Sequence, residues 1–60
     1  MRSVIKAREL VVDDIVIMDD DSGRKVTSLS IKTHRVIACF GEKLFIDLHP
    51  SDFVTIMKRS

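Results

Sequence analysis

Turn-forming residues recur at short, regular intervals along this chain, and that spacing constrains its fold more than any other feature. The turn signals are Asp13-Asp14, Asp20 to Gly23, Thr33-His34, Gly41-Glu42 and His49 to Asp52. The segments between them are short and rich in β-branched residues, a pattern typical of an all-β sandwich or barrel. We predict strands at about 15–19, 25–32, 35–40, 43–48 and 53–58.

The predicted strands alternate apolar and polar residues in places. Leu44, Ile46 and Leu48 share one face, the period-2 pattern of a half-buried strand. In the second strand Val26 is out of phase with the apolar residues that follow. A bulge near Ser28 would restore the register, as bulges do where small barrels bend their strands.

The first ten residues fit two conformations. Ser3 is suited to cap a helix that runs to Val11, whose apolar residues have helical spacing. β-Branched residues such as Val4 favour a strand instead. We therefore predict a strand at 3–6, then a turn that points Leu10 inward, with a one-turn helix near 7–10 as the alternative.

At 60 residues the chain has room for one domain, spanning residues 1–60. Cys39 is the only cysteine, so an intrachain disulfide is excluded and a reducing environment is favoured. The N-terminal residues lack the apolar run of a signal peptide. The longest apolar stretch, Val36 to Phe40, is far shorter than a membrane helix. We expect a soluble, cytoplasmic protein.

Two segments carry a resemblance to a known family. Pro50-Ser51-Asp52-Phe53-Val54 resembles the Pro-Ser-Asn-Tyr-Val segment that closes Src-homology-3-like barrels. Residues 6–16 are similar to the Leu-x-Val-Gly-Asp-x-Val opening of short prokaryotic and phage barrels of this class. The resemblance implies an all-β, five-stranded Src-homology-3-like small barrel with a 3₁₀ turn before the last strand.

The chain departs from that family at two points. Asp13 stands where the opening motif has glycine, so it must adopt a left-handed or strained turn, which Asp tolerates better than most residues. Tryptophan and tyrosine are absent, so the aromatic groove that binds proline-rich peptides in the family is missing. The resemblance therefore implies the fold without the family's best-known activity.

Acidic residues are concentrated in the first half of the chain, although the net charge is only +1. The run Asp19-Asp20-Asp21 lacks the later glutamate that a calcium loop requires, and Arg24 follows it closely. We predict that these aspartates lie at a solvated hairpin tip and form an acidic patch that steers a basic protein partner.

Metal binding and catalysis are not expected. His34, Cys39 and His49 have none of the zinc-ligand spacings, and no serine lies in a nucleophile elbow. With two glycines, the chain has no glycine-rich phosphate loop. A barrel this small would also lack room for a pocket of a few hundred Å³. We predict that the protein is not an enzyme and holds no cofactor or metal.

Basic residues cluster on the second predicted hairpin and its strand, and they suggest nucleic-acid binding as the alternative function. They are Arg24, Lys25, Lys32, His34 and Arg35. The aromatic residues Phe40, Phe45 and Phe53 lie in apolar strand positions, where core packing is expected, and the chain has no overall basic footprint. A solvated basic hairpin is the favoured interpretation.

Several predicted strands are apolar on both faces, and only one face can enter the core of a monomer. We predict a homodimer whose interface includes Val54, Ile56 and Phe45. The alternative is that the first ten residues cover part of this surface through Val4 and neighbouring apolar side chains. Taken together, these features predict a small module that binds other proteins. Such modules are similar to accessory or regulatory proteins of phages and bacteria.

Overall fold

The structure is a computed structural model that describes residues 1–59, and it contains seven short strands and one 3₁₀ helix. The strands are β1 Arg2–Lys6, β2 Ile15–Ile17, β3 Gly23–Lys25, β4 Ser28–Ile31, β5 Val36–Cys39, β6 Phe45–Leu48 and β7 Phe53–Met57. The 3₁₀ helix, Ala7–Glu9, follows β1 directly. The chain is all-β, as predicted.

The strands form two antiparallel sheets. Sheet 1 has the order β1-β7-β2-β3, and sheet 2 has the order β4-β5-β6. The predicted five-stranded barrel is therefore wrong, because β6 lies at an edge and does not pair with sheet 1 to close the structure. The strand count differs because β1 forms a strand of its own and the predicted strand 25–32 is divided between the sheets.

A corner at Val26 and Thr27 divides that predicted strand. The Val26 amide donates to the Asp14 carbonyl in the connection before β2 (2.8 Å), whereas the Thr27 amide donates to the Cys39 carbonyl in sheet 2 (2.8 Å). Consecutive residues thus bond to different sheets. The corner explains why the alternation of apolar and polar residues breaks around Val26. The Val26 side chain is fully buried in the core.

The N-terminal segment contains both predicted alternatives in sequence. The predicted strand at 3–6 is part of β1, and the 3₁₀ helix supplies the one-turn helix near 7–10. Leu10 points inward, with 2% of its surface exposed. Asp13 takes a positive φ of 81°, as its place in the opening motif predicted.

A turn rather than a 3₁₀ helix precedes the last strand, so that detail of the predicted fold is also wrong. The Asp52 amide donates to the His49 carbonyl (2.9 Å), and the Asp52 carboxylate accepts from the His49 amide (2.9 Å). The Ala7 amide donates to the Asp52 carbonyl (2.7 Å), which ties this turn to the 3₁₀ helix.

The core lies between the inner faces of the two sheets and is built mainly from small and branched side chains. Its buried apolar members are Ala7, Leu10, Val16, Val26, Val36, Ala38, Phe40, Val54 and Ile56. Phe40 is the only phenylalanine among them, whereas Phe45 and Phe53 are 64% and 70% exposed. The prediction that all three phenylalanines pack in the core is wrong for these two.

One charged residue, Asp14, is buried with this core and is 5% exposed. Its carboxylate accepts two hydrogen bonds from Arg59, from Nε at 2.8 Å and from Nη2 at 2.7 Å, and a third from the Val11 amide at 3.0 Å. Arg59 also donates to the Glu9 carbonyl at 3.1 Å. The pair thus fastens the end of the chain to the turn before β2.

We expect the Asp14–Arg59 pair to make the fold sensitive to acid. The hydrogen bond from Arg59, with the charge of its guanidinium, lowers the pKa of Asp14 from its ordinary value of 3.8. A lowered folded-state pKa gives stability that is present above the unfolded-state value and lost as pH falls through the folded-state value. Asp14→Asn should reduce the free energy of unfolding at pH 7 by about 1–3 kcal/mol.

Thermal unfolding followed by circular dichroism at neutral pH and near pH 2 measures this effect. The stability difference between the wild type and Asp14→Asn should shrink as the pH falls below about 4. Asp19→Asn, at an exposed position, is the control, and it should change stability by less than about 0.5 kcal/mol. A difference that is constant with pH would contradict the prediction.

Candidate binding groove

The two sheets leave between them an open groove of about 870 Å³. Within the described residues, strand β2 is paired to β7 at one position, Val16 with Ile56. Strand β6 forms another wall of the groove. The lining residues are Val16, Ile17, Met18, Asp19, Asp20, Ser22, Arg24, Leu44, Ile46, Asp47, Leu48, Phe53, Val54 and Thr55.

This groove corrects one expectation from the sequence. A chain of this size was expected to lack room for a pocket of a few hundred Å³, yet the groove exceeds that volume. Its space arises because the sheets are joined through the corner on one side and are unpaired on the other. The groove is open along its length, which suits an elongated ligand better than an enclosed small molecule.

The β2–β3 hairpin forms one wall, and its local geometry holds that wall in place. The Met18 amide donates to the Ser22 carbonyl (2.8 Å), and the Asp21 amide donates to the Met18 carbonyl (2.9 Å). Gly23 pairs with Ile17, and a Cβ at Gly23 would lie 2.8 Å from Ile15 Cγ2. A larger residue at this position would displace the hairpin.

Strand β6 faces the groove with an unpaired edge. The Phe40 amide donates to the Leu44 carbonyl (2.8 Å), which makes residues 40 and 44 a hydrogen-bonded pair. Because such pairs alternate along an antiparallel ladder, Ile46 and Leu48 also bond to β5. The backbone groups of Phe45 and Asp47 therefore point away from β5, and no strand of residues 1–59 pairs with them.

The rim of the groove is acidic. Asp19, Asp20 and Asp47 line it, and Arg24 is the one basic residue among the lining residues of the described chain. Asp20 accepts hydrogen bonds from Ser22 Oγ (2.6 Å) and from the Ser22 amide (3.0 Å). These bonds, the side-chain one foremost, lower the pKa of Asp20 and keep its carboxylate charged.

The predicted acidic patch is only partly assembled here. Asp19 and Asp20 line the groove, whereas Asp21 forms an ion pair with Arg2 (3.2 Å) and has a positive φ of 66°. Asp47 is the third carboxylate of the lining, and it is itself ion-paired with Arg35 at 3.1 Å. The sequence places Asp47 on the outward side of an alternating strand, but nothing local in it indicates that this strand borders the hairpin tip.

The predicted nucleic-acid residues are not brought together on one surface. Arg24 lines the acidic groove, Lys25 approaches Asp13 at 3.7 Å, and Arg35 forms an ion pair with Asp47 at 3.1 Å. Lys32 and His34 are exposed in the β4–β5 turn beside Arg35, at the opposite end of β4 from Arg24 and Lys25. Two of the five bases are thus engaged by acidic neighbours.

The three candidate metal ligands lie in different parts of the fold. His49 Nδ1 accepts a hydrogen bond from the Ser51 amide at 3.1 Å within the turn before β7. Cys39 is a half-buried free thiol on β5, and His34 lies in the β4–β5 turn. Within residues 1–59, no three His, Cys, Asp or Glu side chains are grouped closely enough to hold a metal ion.

The predicted oligomer interface is also placed differently. Val54 and Ile56 are 8% and 2% exposed and lie in the core, so these residues are not available to a second chain, whereas Phe45 is exposed on the outer face of sheet 2. Because side chains alternate along β7, Phe53 and Met57 point outward. The exposed apolar side chains on the outer face of sheet 1 are Val4, Ile15, Phe53 and Met57.

Comparisons of the chain with family models, with curated proteins and with solved structures give no match. Within residues 1–59, no helix has the length and apolar character needed to cross a membrane.

The separation of the basic residues leads to a prediction about nucleic acid. Single-stranded DNA or RNA should bind no more tightly than about 10⁻⁴ M at physiological salt, the weak end of non-specific binding. Fluorescence anisotropy with labelled oligonucleotides measures this affinity. Micromolar binding that is weakened by both Lys32→Ala and Arg35→Ala would contradict the prediction.

Proposed function

We propose that this protein is a non-enzymatic binding module that acts through protein–protein contacts and holds a segment of its partner in the groove. The observation that carries the proposal is a long open groove with an apolar floor, a charged rim and an unpaired strand edge. Peptide segments bind to such sites through pockets for side chains and hydrogen bonds to an exposed edge.

The composition of the groove supports this function over a small-molecule site. Met18, Ile46, Leu48 and Val54 supply apolar surface, and the carboxylates stand at the margin. An apolar centre with a polar rim is the usual anatomy of a protein–protein contact. The half-buried free thiol of Cys39 suits a reducing compartment, so we place this activity in the cytoplasm.

The sequence resemblance of residues 6–16 and 50–54 to short prokaryotic and phage proteins favours an accessory or regulatory role in a bacterium or phage, although the barrel that it implied is not formed. Such a role requires only that the module bind and position its partner. Catalysis is not part of the proposal, because no nucleophile, base and orienting group are arranged together in the groove.

Two exposed apolar side chains offer a test. Phe53 lines the groove, whereas Ile31, 49% exposed on β4, lies outside the groove lining. A random peptide library displayed on phage should yield peptides that bind the wild-type protein. Phe53→Ser should weaken their binding by about tenfold or more, because aromatic anchors dominate such contacts.

Ile31→Ser is the control and should leave the affinity of these peptides within about twofold, since most exposed contacts are nearly neutral. The affinities are measured by isothermal titration calorimetry. A library that yields no binder, or equal losses in both variants, would refute the proposal. Nuclease-sensitive binding of nucleic acid at micromolar concentration would favour the alternative function.

We also propose that the protein is a homodimer that pairs through the outer face of sheet 1. Val4 is 63% exposed there, beside the less exposed Ile15 and Met57, whereas Phe53 is left to the groove that it lines. The first ten residues do not cover this face, because Val4 itself is part of it. Soluble monomers seldom expose a large contiguous apolar patch, and a two-fold contact is the commonest way to cover one.

Light scattering after size exclusion tests the dimer. Val4→Asp should shift the protein from a dimer to a folded monomer of 6.8 kDa, because it places a charge in the contact. Phe45→Asp, on the outer face of sheet 2, is the control and should leave the dimer intact. A wild-type monomer that persists at millimolar concentration would rule out the dimer.

A further inference from the structure

We infer that the occupant of the groove is an extended, basic segment of a protein partner that adds as a strand to the open edge of β6. This inference rests on the proposed function, because it names the conformation and charge of the segment that the groove holds. It follows from three features of the groove: the unpaired backbone, the arrangement of apolar side chains and the charge of the rim.

The backbone of β6 provides the first feature. The amide and carbonyl groups of Phe45 and Asp47 point away from β5 along the open edge of β6, and Asp47 lines the groove. Backbone polar groups require partners, and along an exposed edge those partners are water or another strand. An extended segment in the groove would satisfy these groups in the same way that β5 satisfies those of Ile46 and Leu48.

The other edge strands are less suited to receive a partner. Strand β1 carries Arg2 and Lys6 at its two ends, and an antiparallel copy centred on Val4 would place these like charges opposite each other. Strand β3 carries Arg24 and Lys25 in a three-residue strand. Of the four edges in the described chain, β6 is the one that runs along the groove with apolar residues at alternate positions.

The second feature is the distribution of apolar side chains. Leu44, Ile46 and Leu48 belong to the inward row of β6, and Met18 and Val54 line the groove from the other sheet. Side chains of a strand alternate between two faces. An added strand would therefore direct every second side chain onto this apolar floor and the remaining ones toward solvent.

The third feature is charge. Asp19 and Asp20 on the hairpin tip and Asp47 on β6 line the groove. Arg24 and the Arg35 ion pair of Asp47 (3.1 Å) offset part of their charge, so the negative charge of the rim is concentrated at the hairpin tip. Asp20 is held charged by its bonds to Ser22. Lysine or arginine on the solvent-facing side of the added strand would complement this rim and speed its association.

A short peptide of alternating valine and lysine, long enough to span β6, is the probe. Titration into ¹⁵N-labelled protein should shift the groove resonances and slow amide exchange at Phe45 and Asp47 by about tenfold or more, because those amides gain hydrogen-bond partners. The amides of Ile46 and Leu48 already bond to β5 and serve as the internal reference.

Modified peptides separate the backbone from the side chains. N-methylation of every second amide removes the hydrogen bonds along one edge of the peptide and keeps its charges. In one of the two possible registers it should weaken binding by about tenfold or more, since strand addition depends on main-chain bonds. A valine–glutamate peptide should bind at least about tenfold more weakly than the valine–lysine peptide.

On the protein side, Asp19→Asn should slow association of the valine–lysine peptide by about twofold to fivefold and reduce its salt dependence. Asp13→Asn removes the same charge outside the groove lining, where Asp13 faces Lys25, and is the matched control. Stopped-flow fluorescence with a labelled peptide measures both rates.

Several results would overturn the inference. They are a valine–lysine peptide that shifts no groove resonance, equal binding of the N-methylated peptides in both registers, and equal binding of the glutamate peptide. If displayed peptides that bind as helices are lost with Phe53→Ser, the strand inference fails and the proposed function stands. If the library yields no groove binder at all, both fail.

Discussion

The corner at Val26 and Thr27 is the constraint on which the remaining structure depends. Because the two residues bond to different sheets, the chain passes from sheet 1 to sheet 2 without a loop. Buried Val26 packs behind that corner, so the core is continuous across it. The sheets are joined there, β6 does not pair with sheet 1, and the groove lies between β6, β7 and the β2–β3 hairpin.

A second contact secures the other end of the molecule. The bidentate pair between Asp14 and Arg59 is shielded on the Asp14 side, where the carboxylate is buried, and open on the Arg59 side. A buried carboxylate is tolerated only when it is paired and hydrogen-bonded, and here it accepts three bonds. The pair holds the C-terminal residues against the turn from which β2, a wall of the groove, begins.

The proposed contacts involve apolar side chains and backbone groups that this small fold leaves exposed or unpaired. A chain of 60 residues cannot cover both faces of every strand, so apolar residues remain outside and one strand edge remains unpaired beside an acidic rim. These features assign different surfaces to different contacts: the groove to a partner segment and the outer face of sheet 1 to a second copy. The ion pairs of Lys25 and Arg35 reduce the charge available to nucleic acid.

Local chemistry determined much of this fold. The turn residues set the strand positions to within a few residues, and Asp13 adopts the left-handed conformation that was expected for it. Asp20 accepts a hydrogen bond from the Ser22 amide, and Asp21 adopts a positive φ, so both residues form part of the β2–β3 turn. Their position among turn residues indicated this. These outcomes are predictable because hydrogen bonds and backbone conformations in turns involve residues close together in the chain.

Tertiary structure decided the rest. A period of two shows that Phe53 and Met57 share one face of β7 and that Val54 and Ile56 share the other, yet both rows are apolar, so the pattern does not reveal which row is buried. Pairing with β1 and β2 turns Val54 and Ile56 inward. The approach of Asp47 to the hairpin tip across the groove likewise arises from the corner and the open edge, which join residues far apart in the sequence.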